Sequence, residues 1–254
     1  TADERYEYCG IAEMISPLNK IISFNGDLSI ADKIETMTFN AGQGARLPDL
    51  KALSYLSTDN RIDINHAEIG KRESYDAAHR AAACCVLNGG RLMPYFVEGM
   101  WMKNIHQNEL VAMLYGPNEV TTKMKAGKVN IHQETNYPFE DNVVFNINPE
   151  KSMSFNLVLR KPYGTESMTV NPPEGSQLEE FTDKFVISNS WNAGDKVTVD
   201  FNFKIKYIPQ PESNTVADSG IYLKRGALVY ALPFKHVIKT VKEYNNSGFY
   251  RYRV

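Results

Sequence analysis

The sequence predicts an α+β multidomain protein in which a helical region, residues 1–105, precedes an antiparallel β-sandwich, residues 106–254. Two observations support this division. Apolar residues recur every three or four positions in the first region, whereas they alternate with polar residues in short runs after about residue 106. Glycine, proline and asparagine separate the later runs, as is typical of an antiparallel sandwich.

Three helices are predicted in the first region. The first carries apolar residues on one face from Ile11 to Leu18 and ends before the Asn-Gly-Asp sequence at 25–27. The second spans residues 29–42, with a serine N-cap and a glycine at its end. The third runs from about residue 91 to 105, and residues 43–82 are expected to form long loops that carry short elements.

Five strands are predicted in the second region. The clearest covers residues 197–207, where apolar side chains at alternate positions face a core and polar ones face water. The others are short runs rich in β-branched and aromatic residues. They cover residues 109–117, 128–139, 141–150 and 153–162.

Charge and hydropathy exclude two classes of partner. A chain of 254 residues that is 43% hydrophobic can form large cores, but its formal net charge of -2 gives no basic surface for nucleic acid. No apolar run approaches the roughly 20 residues that span a bilayer, and the first residues of the sequence do not have the basic and apolar regions of a signal peptide. We therefore expect a soluble protein, cytoplasmic or periplasmic, that binds neither nucleic acid nor a membrane.

Two of the three cysteines are adjacent, Cys84 and Cys85, and the third, Cys9, follows Glu7 by two positions. Neighbouring cysteines rarely bond to each other, because a disulfide needs Cα atoms about 4.4–6.8 Å apart. A metal site, a nucleophile and ordinary burial of a small side chain all remain open. Thiolates together with a carboxylate are suitable ligands for tetrahedral Zn²⁺. Cys84 and Cys85 could both bind one ion only if the chain bends there, and the Asn-Gly-Gly sequence at 88–90 permits a bend.

Several segments resemble the β-L-arabinofuranosidase family, glycoside hydrolase family 127 and its relatives. The similarity runs in order over roughly residues 5–160, with a weaker one at 226–233. Its most specific element is the Glu-x-Cys sequence together with the Cys-Cys pair. The matching segments are 6–10, 35–41, 50–60, 84–102, 114–120 and 134–141.

The resemblance implies both a fold and a chemistry. Family members have an (α/α)6 toroid that holds the catalytic site, followed by β-sandwich domains, so residues 1–105 would be the C-terminal portion of the toroid. It also implies that Glu7, Cys9, Cys84 and Cys85 bind Zn²⁺, and that Cys84 is the nucleophile that attacks the anomeric carbon. A metal-bound thiol is a thiolate at neutral pH, and a retaining glycosidase needs an anionic nucleophile opposite a protonated acid.

Three further residues are candidates for substrate binding. By resemblance, Glu35 takes the place of a glutamate that hydrogen-bonds the sugar, and Tyr55 that of a tyrosine near the reacting ring. His79, five residues before Cys84, is a candidate sugar contact. Each has a simpler explanation, namely a solvated helix face for the glutamate, packing for the tyrosine and a loop cap for the histidine.

The resemblance further implies parts outside this sequence. In the family, the general acid/base is a glutamate well before the zinc-binding Glu-x-Cys, and the chain begins at Thr1, too late to contain it. Glu4 is too close to replace it. We therefore expect a fragment whose partner is the missing N-terminal toroid segment, and a homodimer is compatible with the sequence.

Three functions follow as hypotheses. The first is a zinc-thiolate retaining glycoside hydrolase that releases a furanose such as L-arabinofuranose from plant-derived glycans. The second is a non-catalytic fragment or glycan-binding β-sandwich module with a structural zinc. The third is catalysis on a different acidic or branched sugar, because Val86 and Leu87 replace the two prolines of common members and alter the loop beside the nucleophile.

Overall fold

The computed structural model describes residues 6–57, 75–76, 83–209, 221–231, 239–244 and 249–253. Within these ranges the helices lie in the N-terminal part of the chain. They are α1 (Tyr8–Asn25), α2 (Ser29–Thr36) and α3 (Ala83–Glu98), and a π-helical segment, Met37–Gly42, continues α2. None of these helices has the length and apolar character that a membrane span requires.

The first two helices agree with the predicted ones. Helix α1 ends at Gly26, whose φ of 70° is the left-handed conformation that glycine adopts without strain. The predicted helix over 29–42 is present, but it changes from α to π at Met37. The predicted N-cap, Ser29, is the first residue of the helix, and Leu28 occupies the N-cap position. Asp27 Oδ1 accepts the backbone N–H of Ser29 at 3.0 Å.

The predicted third helix is wrong at both ends. Helix α3 begins eight residues earlier, at Ala83, and ends at Glu98. Residues 101–104, predicted to be helical, form a strand. The predicted bend at 88–90 is absent, because these residues lie inside α3.

Packing explains why two adjacent glycines do not break α3. Its buried positions are Cys85, Gly89, Leu92 and Phe96, which fall on one face at spacings of three and four residues. At Gly89 the side chains of Leu53 and Tyr8 approach the helix backbone closely. Burial of this face offsets the cost of glycine in a helix, about 1 kcal/mol per residue.

Short strands lie before α1 and between the π-helical segment and α3. Strand β1 pairs antiparallel with β3, so that Glu7 lies opposite Leu56, and β2 pairs antiparallel with β4. The strands are β1 (Tyr6–Glu7), β2 (Leu53–Ser54), β3 (Leu56–Ser57) and β4 (Tyr75–Asp76).

Two five-stranded sheets make up most of the second region. The first contains β5 (Trp101–Asn104), β6 (Glu109–Ala112), β10 (Met153–Arg160), β12 (Gln177–Glu180) and β13 (Lys184–Trp191). The second contains β7 (Asn118–Met124), β8 (Gly127–Glu134), β9 (Asn142–Pro149), β11 (Thr165–Asn171) and β14 (Asp195–Phe203). Their orders are β12-β13-β10-β6-β5 and β11-β14-β9-β8-β7. All neighbours are antiparallel except β6 and β10.

One hydrophobic core joins the two sheets. Leu157 and Ile187 of the first sheet and Phe145 and Val199 of the second belong to the same buried cluster. These side chains alternate with polar ones along their strands, as predicted for residues 197–203.

The predicted strand over 197–207 is too long, because β14 ends at Phe203 and the side chains of Ile205 and Tyr207, which were expected to face the core, are exposed. Each of the five predicted strands is present and ends one to five residues before its predicted end, and β8 and β14 begin one and two residues earlier than predicted.

The remaining strands follow the two large sheets. A three-stranded antiparallel sheet contains β15 (Lys206–Pro209), β16 (Ile221–Arg225) and β17 (Leu228–Tyr230). Strands β18 (Lys239–Tyr244) and β19 (Phe249–Arg253) pair antiparallel.

A buried ion network attaches α2 to the sheets. The guanidinium of Arg160, at the end of β10, lies 2.5 Å from Asp32 Oδ1 and 2.6 Å from Glu35 Oε1. Its Nε donates to the carbonyl oxygen of Met113 at 2.5 Å. Arg160 and Glu35 are buried, and Asp32 is partly exposed. The helical core, built from α1, α2 and α3, is thereby fixed against the β region.

Candidate metal centre

Four side chains from two distant parts of the chain converge at the beginning of α1 and α3. The ligand atoms of Glu7, Cys9, Cys84 and Cys85 all lie within 4.8 Å of one another. The Sγ atoms of Cys84 and Cys85 are 3.9 Å apart, and those of Cys9 and Cys85 are 3.0 Å apart. All three cysteines are free thiols.

Local structure explains how each pair of side chains reaches this point. Glu7 ends β1 and is the N-cap of α1, with extended backbone angles, φ -76° and ψ 132°. Cys9 is already in the first turn of α1, so the Glu-x-Cys sequence spans a strand-to-helix transition. Cys84 and Cys85 lie in the first turn of α3. Two helix N-termini therefore meet at the cluster, and their partial positive charge favours anionic ligands.

The thiols differ in exposure. Cys84 is exposed, Cys9 is intermediate and Cys85 is buried. Burial raises the pKa of Cys85, as does its hydrogen bond with Cys9, and burial also raises the pKa of Cys9. Both thiols are therefore protonated at neutral pH without a metal, and a metal ion would have to displace these protons.

The donor set fits a zinc ion. Tetrahedral coordination with Zn–S bonds of about 2.3 Å places two sulfur atoms roughly 3.8 Å apart. The Cys84–Cys85 separation of 3.9 Å matches this value. The Cys9–Cys85 separation is shorter and would have to open by about 0.8 Å. With the carboxylate of Glu7, the cluster offers the four ligands that a closed zinc site requires.

Tyr55 lies beside the cluster. Burial raises the pKa of its hydroxyl, and the charge of Glu7, a hydrogen bond to Glu7 and the proximity of Cys84 add to the rise. Its carbonyl oxygen accepts the backbone N–H of Tyr8 at 3.0 Å, which fixes it next to the Glu-x-Cys sequence. The structure therefore brings this predicted residue to the four candidate ligands.

Glu35 is held away from solvent by other partners. It is 1% exposed, and Oε1 accepts the backbone N–H of Tyr115 at 3.0 Å while Oε2 accepts the hydroxyl of Tyr137 at 2.8 Å. Oε1 also pairs with Arg160. Both oxygens are thus engaged within the protein. Its predicted contact with the sugar stays a prediction, and these contacts favour a role in joining α2 to the sheets.

The predicted residue His79 lies outside the described residues. Tyr95, Phe96 and Trp101, aromatic residues of α3 and β5, pack in the helical hydrophobic cluster. Phe96 is buried, and the other two are partly buried.

Sequence reasoning missed Tyr8, a buried residue between Glu7 and Cys9. It is 1% exposed, and its hydroxyl donates to the carbonyl oxygen of Gly42 at 3.1 Å. Its only sequence signal is its place inside the Glu-x-Cys sequence. Nothing in the local pattern indicates the carbonyl group 34 residues away to which it binds.

Comparison with known proteins finds a family model that matches part of the β region. Residues 109–203 match the family model described as the middle domain of GH127 β-L-arabinofuranosidase. No curated protein is significantly similar to the chain.

Solved structures share the fold. A GH127 β-L-arabinofuranosidase from Geobacillus stearothermophilus has a TM-score of 0.73 and 23% identity over 88% of this chain and 36% of its own. A structure described as a glycoside hydrolase has a TM-score of 0.76 and 21% identity over 90% of this chain and 38% of its own. A GH127 β-arabinofuranosidase has a TM-score of 0.68 and 20% identity over 90% of this chain and 37% of its own.

The chain therefore spans 36–38% of the length of these structures. The resemblance to the β-L-arabinofuranosidase family is confirmed by the match over residues 109–203 and by these structures. At 20–23% identity the structural similarity concerns the fold.

Proposed function

We propose that the protein carrying this sequence is a retaining glycoside hydrolase of the β-L-arabinofuranosidase type that acts on plant-derived glycans. The observation that carries the proposal is the convergence of Glu7, Cys9, Cys84 and Cys85 within 4.8 Å. The family match over residues 109–203 includes none of these four residues. The two lines of support are therefore independent.

The proposed architecture is a toroid portion, residues 1–105, followed by a β-sandwich domain, residues 106–254. The core shared by the two five-stranded sheets supports the sandwich. Strand β5 begins at Trp101, so the sheet region starts a few residues before 106. Apolar residues on the outer faces of α1 and α3 support a neighbouring toroid helix, which would cover them. These residues are Met14, Ile21, Phe24, Leu87 and Val97.

Glu7, Cys9, Cys84 and Cys85 are proposed to hold Zn²⁺. Three sulfur donors and one carboxylate form the soft, closed donor set that zinc accepts. When bound, the ion keeps its cysteine ligands deprotonated at neutral pH. The cluster would thus supply a thiolate without a neighbouring general base.

Cys84 is the proposed nucleophile because it is the exposed thiol of the cluster. Its Sγ would form a bond to the anomeric carbon as the glycosidic C–O bond breaks, and the leaving oxygen would take a proton from a general acid. The resemblance assigns that acid to a glutamate outside this sequence. Water would then displace the sulfur, which restores the thiolate and retains the anomeric configuration.

Tyr55, Glu35 and His79 are the proposed substrate residues. The position of Tyr55 beside Glu7 and Cys84 supports its contact with the reacting sugar. The roles of Glu35 and His79 rest on the resemblance and on sequence position alone.

Metal analysis and kinetics of a single variant test the proposal. The purified protein should contain stoichiometric zinc and hydrolyse an aryl β-L-arabinofuranoside. In Cys84→Ser we expect kcat to fall by about a thousandfold or more, because the nucleophile is lost. A fully active protein without metal would contradict the proposal.

Lys151→Ala is a suitable control, because Lys151 is exposed between β9 and β10, outside the candidate metal centre. It should retain its activity. Zinc binding without hydrolysis of any aryl glycoside in a broad panel would favour a non-catalytic protein with a structural zinc. Hydrolysis of a different aryl glycoside would show that the sugar released is not L-arabinofuranose.

A further inference from the structure

Tyr8 connects the two candidate ligands on either side of it to three separate segments of the chain. Its backbone N–H donates to the carbonyl oxygen of Tyr55 at 3.0 Å. Its hydroxyl donates to the carbonyl oxygen of Gly42 at 3.1 Å. Glu7 is exposed, whereas Tyr8 is 1% exposed. The buried side chain of Tyr8 therefore anchors the segment that carries the candidate ligand Glu7.

The third contact is with α3. A Cβ atom placed on Gly89 would lie 3.5 Å from Tyr8 Cε1 and 3.7 Å from its hydroxyl oxygen. The tyrosine ring therefore packs directly on the backbone of α3, and a larger residue at position 89 would press on it. Gly89 follows Cys85 by one helical turn. The ring of Tyr8 thus touches the helix that carries the other two candidate ligands.

The carbonyl group that accepts the Tyr8 hydroxyl is itself fixed. Gly42 ends the π-helical segment, and Leu92 of α3 approaches it so closely that a Cβ there would meet Leu92 Cδ2 at 2.9 Å. Asn40, two residues earlier, donates through Nδ2 to the carbonyl oxygen of Ala227 at 2.8 Å. It also accepts the backbone N–H of Val229 at 2.8 Å. The three-stranded sheet therefore holds the segment to which Tyr8 is bonded.

We infer that Tyr8 is a positioning residue that sets Glu7 and Cys9 relative to Cys84 and Cys85 before a metal binds. This inference rests on the proposed donor set. Glu7 and Cys9 are joined to Tyr8 by its two peptide bonds, so any movement of Tyr8 moves both ligands. Tyr8 is anchored at three places, which are Tyr55 beside β3, the π-helical segment and α3. These contacts leave Tyr8 little conformational freedom, which lowers the entropic cost of assembling the metal site.

The test compares two conservative variants, Tyr8→Phe and Tyr115→Phe. Tyr115 is a matched control, because it is also fully buried and its hydroxyl also donates to a backbone carbonyl oxygen, that of Arg160, at 2.5 Å. Each variant loses one buried hydroxyl hydrogen bond and keeps the ring. Zinc affinity is measured by competition with a chromophoric chelator, and the melting temperature of the zinc-free protein is measured in parallel.

We expect Tyr8→Phe to weaken zinc affinity by about tenfold or more, as is usual when a partner that orients the ligands is removed. The zinc affinity of Tyr115→Phe should stay within about twofold of that of the unmodified protein. Its melting temperature should nevertheless fall by about as much as that of Tyr8→Phe. With Co²⁺ as the probe, the thiolate-to-cobalt charge-transfer band should shift in Tyr8→Phe only.

Zinc affinity within twofold of the unmodified protein in Tyr8→Phe would overturn the inference. Equal weakening in both variants would also overturn it, because the effect would then be one of general stability. Failure of the unmodified protein to bind zinc would instead contradict the proposed function, so the two failures are distinguishable.

Discussion

The guanidinium of Arg160 illustrates how much a single buried charge depends on its partners. Its side chain is 1% exposed and pairs with Asp32 and Glu35 across the junction between α2 and β10. A buried charge without a partner is strongly unfavourable, because the protein interior cannot replace the water it loses. The network of Arg160, Asp32 and Glu35 therefore holds the junction in one arrangement as long as all three groups are present.

At this residue we predict a large loss of stability in Arg160→Leu. The variant leaves Glu35 buried without its cation, and removal of one partner of a buried pair costs about 3–5 kcal/mol. Chemical denaturation measures the free energy of unfolding. Arg91→Ala, which breaks the exposed pair with Glu13, should cost about 1 kcal/mol or less. Equal effects in the two variants would show that the Arg160 network is not stabilising.

A second residue-scale prediction concerns Glu35. If its main role is to hold Arg160, Glu35→Gln should lower the free energy of unfolding by about 1–3 kcal/mol, since the charge-assisted hydrogen bonds weaken. If it binds the sugar instead, KM should rise while stability stays constant. Denaturation and steady-state kinetics on the same preparation separate these results, and the contacts of Glu35 favour the first.

The thiol groups lead to a prediction on pH. Burial raises the pKa of Cys9 and Cys85, so both carry protons at neutral pH that a metal must displace. At lower pH, protons compete more strongly with the metal ion for the two sulfur atoms. Zinc affinity should therefore rise with pH between 6 and 8, by up to about tenfold per pH unit for each proton released. Competition titrations at three pH values measure this slope, and a flat profile would contradict protonated thiols.

At the scale of the element, α3 shows how one helix accommodates two glycines with different surroundings. Gly89 faces the core, where a Cβ would lie 3.3 Å from Leu53 Cδ2, whereas Gly90 is exposed and has no atom within 4 Å of such a Cβ. The face that each residue occupies, rather than its type, decides the effect of a substitution.

We accordingly predict opposite effects at adjacent positions. Gly90→Ala should raise the free energy of unfolding by up to about 1 kcal/mol, because alanine restricts the unfolded chain and favours the helix. Gly89→Val should lower it by about 1–3 kcal/mol through overpacking against Leu53 and Tyr8. Thermal denaturation of the two variants checks both signs, and stabilisation by Gly89→Val would show that this interface is not tightly packed.

The elements differ in how readily the sequence predicts them. Alternation of apolar and polar residues predicted β9, β10 and β14, because one buried face and one wet face leave a period of two in the sequence. Strands β7, β11, β12 and β13 were not predicted; β12 is exposed at all four positions, so no buried face marks it in the sequence. The start of α3 was misplaced because its Asn-Gly-Gly sequence is a local turn signal that packing overrides.

At the scale of the whole molecule, the two cores are largely separate. The sheet core is built mostly from strands after residue 109, and the helical core mostly from α1, α2 and α3, with Met113 and Leu114, which follow β6, also buried in it. Phe39 and Trp101 pack against both. The candidate ligands all belong to the helical part, whereas the segment that anchors Tyr8 is held by the sheets.

A separately produced fragment of residues 100–254 tests this division. It should show the circular dichroism of a folded β protein, because most of the contacts of its core lie within it. It should bind no zinc, since the four ligand residues are absent from it. An unfolded fragment would indicate that the helical part is required for the sheets to form.

Residue identity and short spacing were sufficient to predict the types of donor in the candidate metal centre and the strands that have one buried face. Tertiary structure alone decided that Cys84 and Cys85 begin a helix, that Glu35 pairs with Arg160 and that Tyr8 reaches Gly42. These outcomes depend on which distant groups share a water-free interior. There an unpaired charge or an unbonded polar group is costly, and no local pattern in the chain records which partner will satisfy it.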